Sequence, residues 1–166
     1  MGTKARGAPG SGGTPATAQL SAAAIPFTEH HYTHDPRAAS YGLEAAEALG
    51  VDPEVVFKTL LVQADGSLGV VVVPVDRQVD LKAAAAALGA KRATMADSAA
   101  AQRSTGYVLG GISPFGQRRR LPTVLDESAL AHERIYVSGG RRGFDIALAV
   151  EDLVAQLDAQ VAPISR

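Results

Sequence analysis

In the stretch VFKTLLV, residues 56–62, a single lysine interrupts an otherwise apolar run. Strand spacing puts Val56, Lys58, Leu60 and Val62 on one face and Phe57, Thr59 and Leu61 on the other. Both faces read as covered. An ammonium placed there must give up hydration, which lowers its pKa from about 10.4 or demands an anionic partner. Lys58 therefore either lines a ligand site or lies at a strand edge with its head reaching water. Two glycine-bearing loops supply a context for the first reading, STGYVLGGISPFG (104–116) and VSGGRRGFD (137–145). Paired glycines let the backbone approach a ligand and aim its N–H groups at carbonyl or phosphate oxygens. Neither loop has the Lys-Ser/Thr ending of a Walker motif or the glycine spacing of a dinucleotide fold. Arg118, Arg119 and Arg120 follow the first loop and read either as a solvated face or as contacts to phosphate. In HHYTHD, residues 30–35, the histidines are possible metal ligands. On a strand His30 and His31 point to opposite faces, so no metal and no cofactor is assigned. No serine sits in a nucleophile elbow, and the chain has no cysteine, so a protein thiol is excluded as nucleophile.

The elements that must hold these groups follow from composition and pattern. A chain of 166 residues with 46% hydrophobic residues suits one domain with a real core. Residues 1–14 are rich in Gly, Pro and Ser and read as a flexible tail, with a single domain over 15–166. Pro15 suits the first turn of a helix over ATAQLSAAA, and IPFTEHHYTH reads as extended. A helix over SYGLEAAEALG opens at Ser40 and stops at Gly50. The strand from Val56 to about Gln63 is followed by Asp65-Gly66 and LGVVVVPV, which predicts a hairpin. Short helices are expected over DLKAAAAALG and ADSAAAQRST, then strands over TVLDE, RIYVSGG and FDIALAV, and a last helix over EDLVAQLDA. Irregular alternation points to an α+β domain. The net charge of −1 argues against sequence-blind coating of nucleic acid, DNA included, yet residues 91–142 carry nine Lys/Arg against four Asp/Glu. Such a patch can hold a few phosphates. No stretch reaches the roughly 20 apolar residues of a membrane span, and no secretory leader is evident, which places the chain in the cytoplasm.

As an ordered set, HHYTHD, YGLEAAEALG, VFKTLLV, MADSAAAQRSTGYVLGGISPFGQRRR and IYVSGGRRGFDI resemble the YbaK family of trans-acting Cys-tRNA(Pro) deacylases. These are relatives of the editing domain inserted in bacterial prolyl-tRNA synthetase. The resemblance implies a mixed, barrel-like sheet flanked by helices. It implies Lys58 as the essential lysine and Tyr32, Tyr41, Thr59, Gly110, Gly111, Ser138 and Asp145 as substrate-binding residues. Tyr41 stands where many members have Phe. Lys58 would present its charge to the 3′-end of an aminoacyl-tRNA, Gly110 and Gly111 would orient the aminoacyl carbonyl, and Arg118–Arg120 would meet tRNA phosphates. The family scheme lets the thiol of a cysteinyl ester attack its own carbonyl, and Tyr32, Ser138 and Asp145 would grip the amino group and thiol. Prolyl-tRNA synthetase is implied as a partner. Two rivals stand beside this reading: the same fold acting with water on another misacylated tRNA such as alanyl-tRNA(Pro), and a non-catalytic module that binds tRNA or the synthetase.

Overall fold

The computed structural model describes residues 13–166. Its elements in chain order are α1 (Pro15–Ala22), β1 (Thr28–His31), α2 (Tyr41–Leu49), β2 (Phe57–Ala64), β3 (Ser67–Pro74), α3 (Leu81–Ala87) and β4 (Ala93–Met95). They continue with α4 (Ser98–Thr105), β5 (Thr123–Asp126), β6 (Arg134–Arg141), β7 (Phe144–Ala149), α5 (Val150–Leu157) and β8 (Gln160–Ala162). Most of the expected tail lies outside the described residues. Thr14 caps α1 by accepting from the Thr17 amide, and its hydroxyl donates to the Gly139 carbonyl, which ties the helix to β6. Side-chain oxygens also cap α2 (Ser40), α3 (Asp80) and α4 (Asp97), each accepting from an otherwise orphaned first-turn amide.

Asp65 and Gly66 both have positive φ, 49° and 90°, so the β2–β3 hairpin turns as the Asp-Gly pair predicts. Eight residue pairs, from Phe57↔Pro74 to Ala64↔Ser67, fix its register. Parallel pairing of β3 with β5 and of β5 with β8, and antiparallel pairing of β2 with β4, complete a five-stranded mixed sheet in the order β4-β2-β3-β5-β8. Both its faces are covered. Phe57, Leu61, Val70 and Val72 join a core with Phe115, Leu125, Ile135, Phe144 and Leu153, while Val62, Val71 and Val73 pack with Ala84, Val124 and Ile164. The continuous valine run of β3 is what such a strand requires.

A second, antiparallel sheet has the order β1-β7-β6. The expected α+β mixture of sheet and flanking helices is present, but the sheet is not closed into a barrel. The two sheets meet at one parallel bridge, Val56↔Tyr136, and no ladder continues it. The edge strands β4 and β8 are three residues long and β1 four, so each offers few backbone groups for further pairing, and the eight-residue edge strand β6 meets the larger sheet only at Val56. The gap left beside the bridge is where the site lies.

Candidate active site

A cavity of about 300 Å³ opens at that gap. Its floor is the first half of β2, Phe57–Leu60, and its walls come from Tyr32 after β1, Ser40–Gly42 and Ala45 of α2, and Val75 after β3. Gly110 and Ile112 of the α4–β5 loop, Ser138 of β6 and Asp145 of β7 complete it. Pairing explains the convergence, because Asp145 stands opposite both His30 and Ser138, which sets the middle of the three-stranded sheet against the end of β2.

Lys58 is half-buried. Loss of water pulls its ammonium below the ordinary value, and the Asp76 carboxylate pushes it partly back up. Asp145 is buried to 6% exposure, and desolvation pushes its carboxyl up to about 7. A carboxyl raised that far is suited to proton transfer in the neutral range. Tyr32 is pushed up to about 12, by burial first and then by the Asp145 and Glu44 carboxylates, with the Gly143 backbone opposing, so its phenol stays protonated. The Thr59 hydroxyl is buried without any hydrogen-bond partner among the described residues. An orphan of that kind costs about 1–3 kcal/mol, which a polar ligand atom in the cavity would return. Ser40 Oγ accepts from the Leu43 amide at 3.2 Å and Ser138 Oγ from the Gly140 amide at 3.1 Å, so each hydroxyl is oriented and keeps a proton to donate. The lining holds no histidine to activate either serine.

Glycine is required at the mouth. Gly110 has φ 82°, and a Cβ there would come within 2.7–2.8 Å of the Tyr41 ring, so a side chain would displace the tyrosine that forms the opposite wall.

The sequence model of the aminoacyl-tRNA editing domain matches residues 35–155. A protein of Enterococcus faecalis, EbsC, named as a candidate Cys-tRNA(Pro)/Cys-tRNA(Cys) deacylase, is 35% identical over 144 residues, covering 85% of this chain and 86% of its own. The chain belongs to the aminoacyl-tRNA editing domain family. Solved structures agree in fold. One, of a hypothetical protein, superposes with a TM-score of 0.83 at 25% identity over 92% of this chain and 100% of its own. Another, described as a candidate trans-editing enzyme for prolyl-tRNA synthetase, gives 0.78 at 23% identity over 92% and 95%.

Seven residues singled out in the sequence line the cavity of this editing domain: Lys58, Thr59, Tyr32, Tyr41, Gly110, Ser138 and Asp145. Four others do not. Gly111 is buried behind the wall, where a Cβ would strike the Arg141 and Arg142 backbone at 2.7–3.0 Å. The exposed Arg118–Arg120 stand at the end of α4 instead, the Arg118 and Arg119 amides bonded to Thr105 O and Ser104 O and the Arg118 side chain lying against Gly106. The apolar walls from Phe57, Leu60, Ile112 and Val75 escaped sequence reading because nothing separates such residues from core. Gly42 escaped too, although a side chain there would collide with Val75. Among the described residues no group of three or more His, Cys, Asp or Glu is placed to hold a metal ion.

Proposed function

We propose that residues 15–166 act as one deacylase domain that removes cysteine from mischarged Cys-tRNA(Pro), with the substrate's own thiol as nucleophile. Aminoacyl-tRNA editing breaks the ester between an amino acid and the terminal ribose, so the reaction class is deacylation. One observation carries the finer reading: the cavity gathers a cation, a carboxyl poised near neutrality and an unpaired hydroxyl, yet no Ser–His or Cys–His pair. The nucleophile then comes from elsewhere. A cysteinyl ester brings one, and the name of the Enterococcus relative points to the same substrate.

In this scheme the thiol gives up its proton and the sulfur attacks the ester carbonyl carbon. A C–S bond forms, the C–O bond to ribose breaks, and the ribose oxygen takes up a proton, leaving a cyclic thiolactone and free tRNA. Asp145 would accept the thiol proton or the hydrogen bonds of the substrate ammonium. Lys58 would stabilise the oxygen on which charge develops, where partial burial leaves Coulomb attraction less screened than in water. Effective molarities of roughly 10⁵–10⁸ M for well-oriented intramolecular attack make conformer selection the chief task of the walls. Thr59, Tyr32 and Ser138 would perform it. Prolyl-tRNA synthetase, as partner, would supply selection for the tRNA body.

The test compares cysteinyl-tRNA(Pro), its S-alkylated form and alanyl-tRNA(Pro) as substrates of the purified protein. Turnover of the free-thiol ester alone supports the scheme. Equal turnover of the blocked or alanyl ester makes water the nucleophile and overturns the cyclisation step.

A further inference from the structure

The cavity opens on the edge of β2, where a ladder of backbone hydrogen bonds stops one rung short. Phe57, Lys58, Thr59 and Leu60, successive residues of that strand, all line it. Their side chains alternate between the two faces, so a cavity that meets all of them runs along the strand's edge. Which backbone groups point into it follows from the pairing. Antiparallel strands bond through every second residue pair, and the Val75 amide donates to the Val56 carbonyl at 2.9 Å. Lys58 and Leu60 therefore turn their amides and carbonyls toward Val73 and Val71 of β3, while Thr59, Leu61 and Gln63 turn theirs the other way. On that side the Asp65 amide donates to the Arg92 carbonyl at 3.1 Å and the Ala96 amide to the Leu61 carbonyl at 3.0 Å, with Gln63 opposite Thr94 between them. The next rung falls at Thr59. No strand is registered there, because the chain turns off at Asp97 into α4 and β6 meets β2 only at Val56.

We infer that the substrate's aminoacyl group fills this rung as a one-residue strand: its α-amino N–H donates to the Thr59 carbonyl, and its own carbonyl accepts from the Thr59 amide. The inference rests on the deacylase reading and adds to it a backbone contact separate from the Thr59 hydroxyl. An aminoacyl ester carries both partners in the right relation, since its amino nitrogen and carbonyl oxygen flank one α-carbon as they do in any residue of an antiparallel pair. The opening is short. The Leu61–Ala96 bond bounds it at one end and the Val56↔Tyr136 bridge at the other, which leaves length for a single residue and not for a peptide. Pairing through backbone-like atoms reads no side chain, so the choice among amino acids is left to the walls on either face of the strand.

The test changes the backbone of the full chain and leaves the side chains alone. Incorporating the α-hydroxy acid analogue of threonine at Thr59 exchanges the amide N–H for an ester oxygen, and the same exchange at Gln63 is the control. The probes are 3′-cysteinylamino-3′-deoxyadenosine, an unreactive amide, and its desamino counterpart carrying a 3-mercaptopropionyl group. Wild type should bind the cysteinyl probe about tenfold more tightly than the desamino one. Exchange at Thr59 should weaken both probes about tenfold, through the carbonyl they share, and leave Tm unchanged. Exchange at Gln63, which removes a bond to β4, should lower Tm and keep both affinities. Wild-type affinity after exchange at Thr59, a loss of Tm there equal to that at Gln63, equal binding of the two probes by wild type, or failure of wild type to bind either one overturns the rung. Turnover of cysteinyl-tRNA(Pro) by wild type is scored separately, so a failed rung and a failed deacylase reading are distinguishable.

Discussion

Asp126 and Asp145 are both buried, at 2% and 6% exposure, yet their carboxyls are displaced in opposite directions. Burial pushes Asp126 upward, but hydrogen bonds from the Ser128 and Ser165 side chains and from the Ile164 and Ser128 amides outweigh it and hold the group below its ordinary value. Burial pushes Asp145 up to about 7 with no comparable set of donors to answer it. Asp126 ends β5 and fastens the C-terminal segment through Ile164, so its charge is part of the scaffold. Asp145 faces a cavity. A carboxyl desolvated without a comparable set of donors is what a ligand site would use, and that is the role we propose for Asp145. The same contrast runs along β2, whose second half is paired with both β3 and β4 while its first half presents Lys58 and Thr59 to the cavity.

The largest expected effect comes from removing the cation at the end of β2 that β4 does not cover. Lys58→Ala should lower kcat/KM for cysteinyl-tRNA(Pro) by at least about 100-fold, the scale set by losing one stabiliser of developing charge. Thermal unfolding should show a retained fold, since Lys58 makes no ion pair within 4.0 Å among the described residues. A variant with the wild-type rate would place the chemistry elsewhere.

Next in size is the contrast between the two aspartates, read by urea unfolding across pH. Asp145 binds its proton more tightly folded, near 7, than unfolded, at 3.8, so folding is favoured most below about pH 4 and loses stability as pH rises through 7. The full span is roughly 4 kcal/mol at 1.36 kcal/mol per pKa unit. Asp145→Asn should therefore be more stable than wild type at pH 8 and close to it at pH 4, while losing deacylation. Asp126 has the reverse sign: its contribution is present above the unfolded pKa of 3.8 and disappears as pH falls through the lower folded value. Asp126→Asn should cost about 1–3 kcal/mol at pH 7. If both variants moved stability in one direction at pH 8, the division into scaffold and site carboxyl would fail.

Part of the site was legible in residue order because it depends on local rules, while Tyr32, Tyr41, Thr59, Ser138 and Asp145 were implied only by the family resemblance. An ammonium inside an apolar strand, a glycine pair after a helix and an Asp-Gly turn each violate or satisfy a preference that a single segment reveals. What sequence could not supply is long-range. Barrel closure turns on pairing between edges far apart in sequence, and two of those edges, β4 and β8, are three-residue strands with no readable period. Nothing local distinguishes Asp126 from Asp145 either, because the donors that tame the first come in part from Ile164 and Ser165, some forty positions downstream.

The smallest expected effect is the most diagnostic of the end of β2 that lines the cavity. Thr59→Val keeps the shape of the side chain and removes only the buried hydroxyl that lacks a partner. In a scaffold position such a change costs stability, because a hydrogen bond is lost. Here no bond exists to lose, and replacing an unsatisfied polar atom with a methyl group should leave stability unchanged or raise it by about 1 kcal/mol. Activity should move the other way, falling about tenfold, if the proposed substrate contact is what satisfies the hydroxyl. Unfolding and deacylation measured on one preparation separate these outcomes. A variant that lost stability and kept its rate would return Thr59 to the scaffold and leave Lys58 and Asp145 to hold the substrate without it.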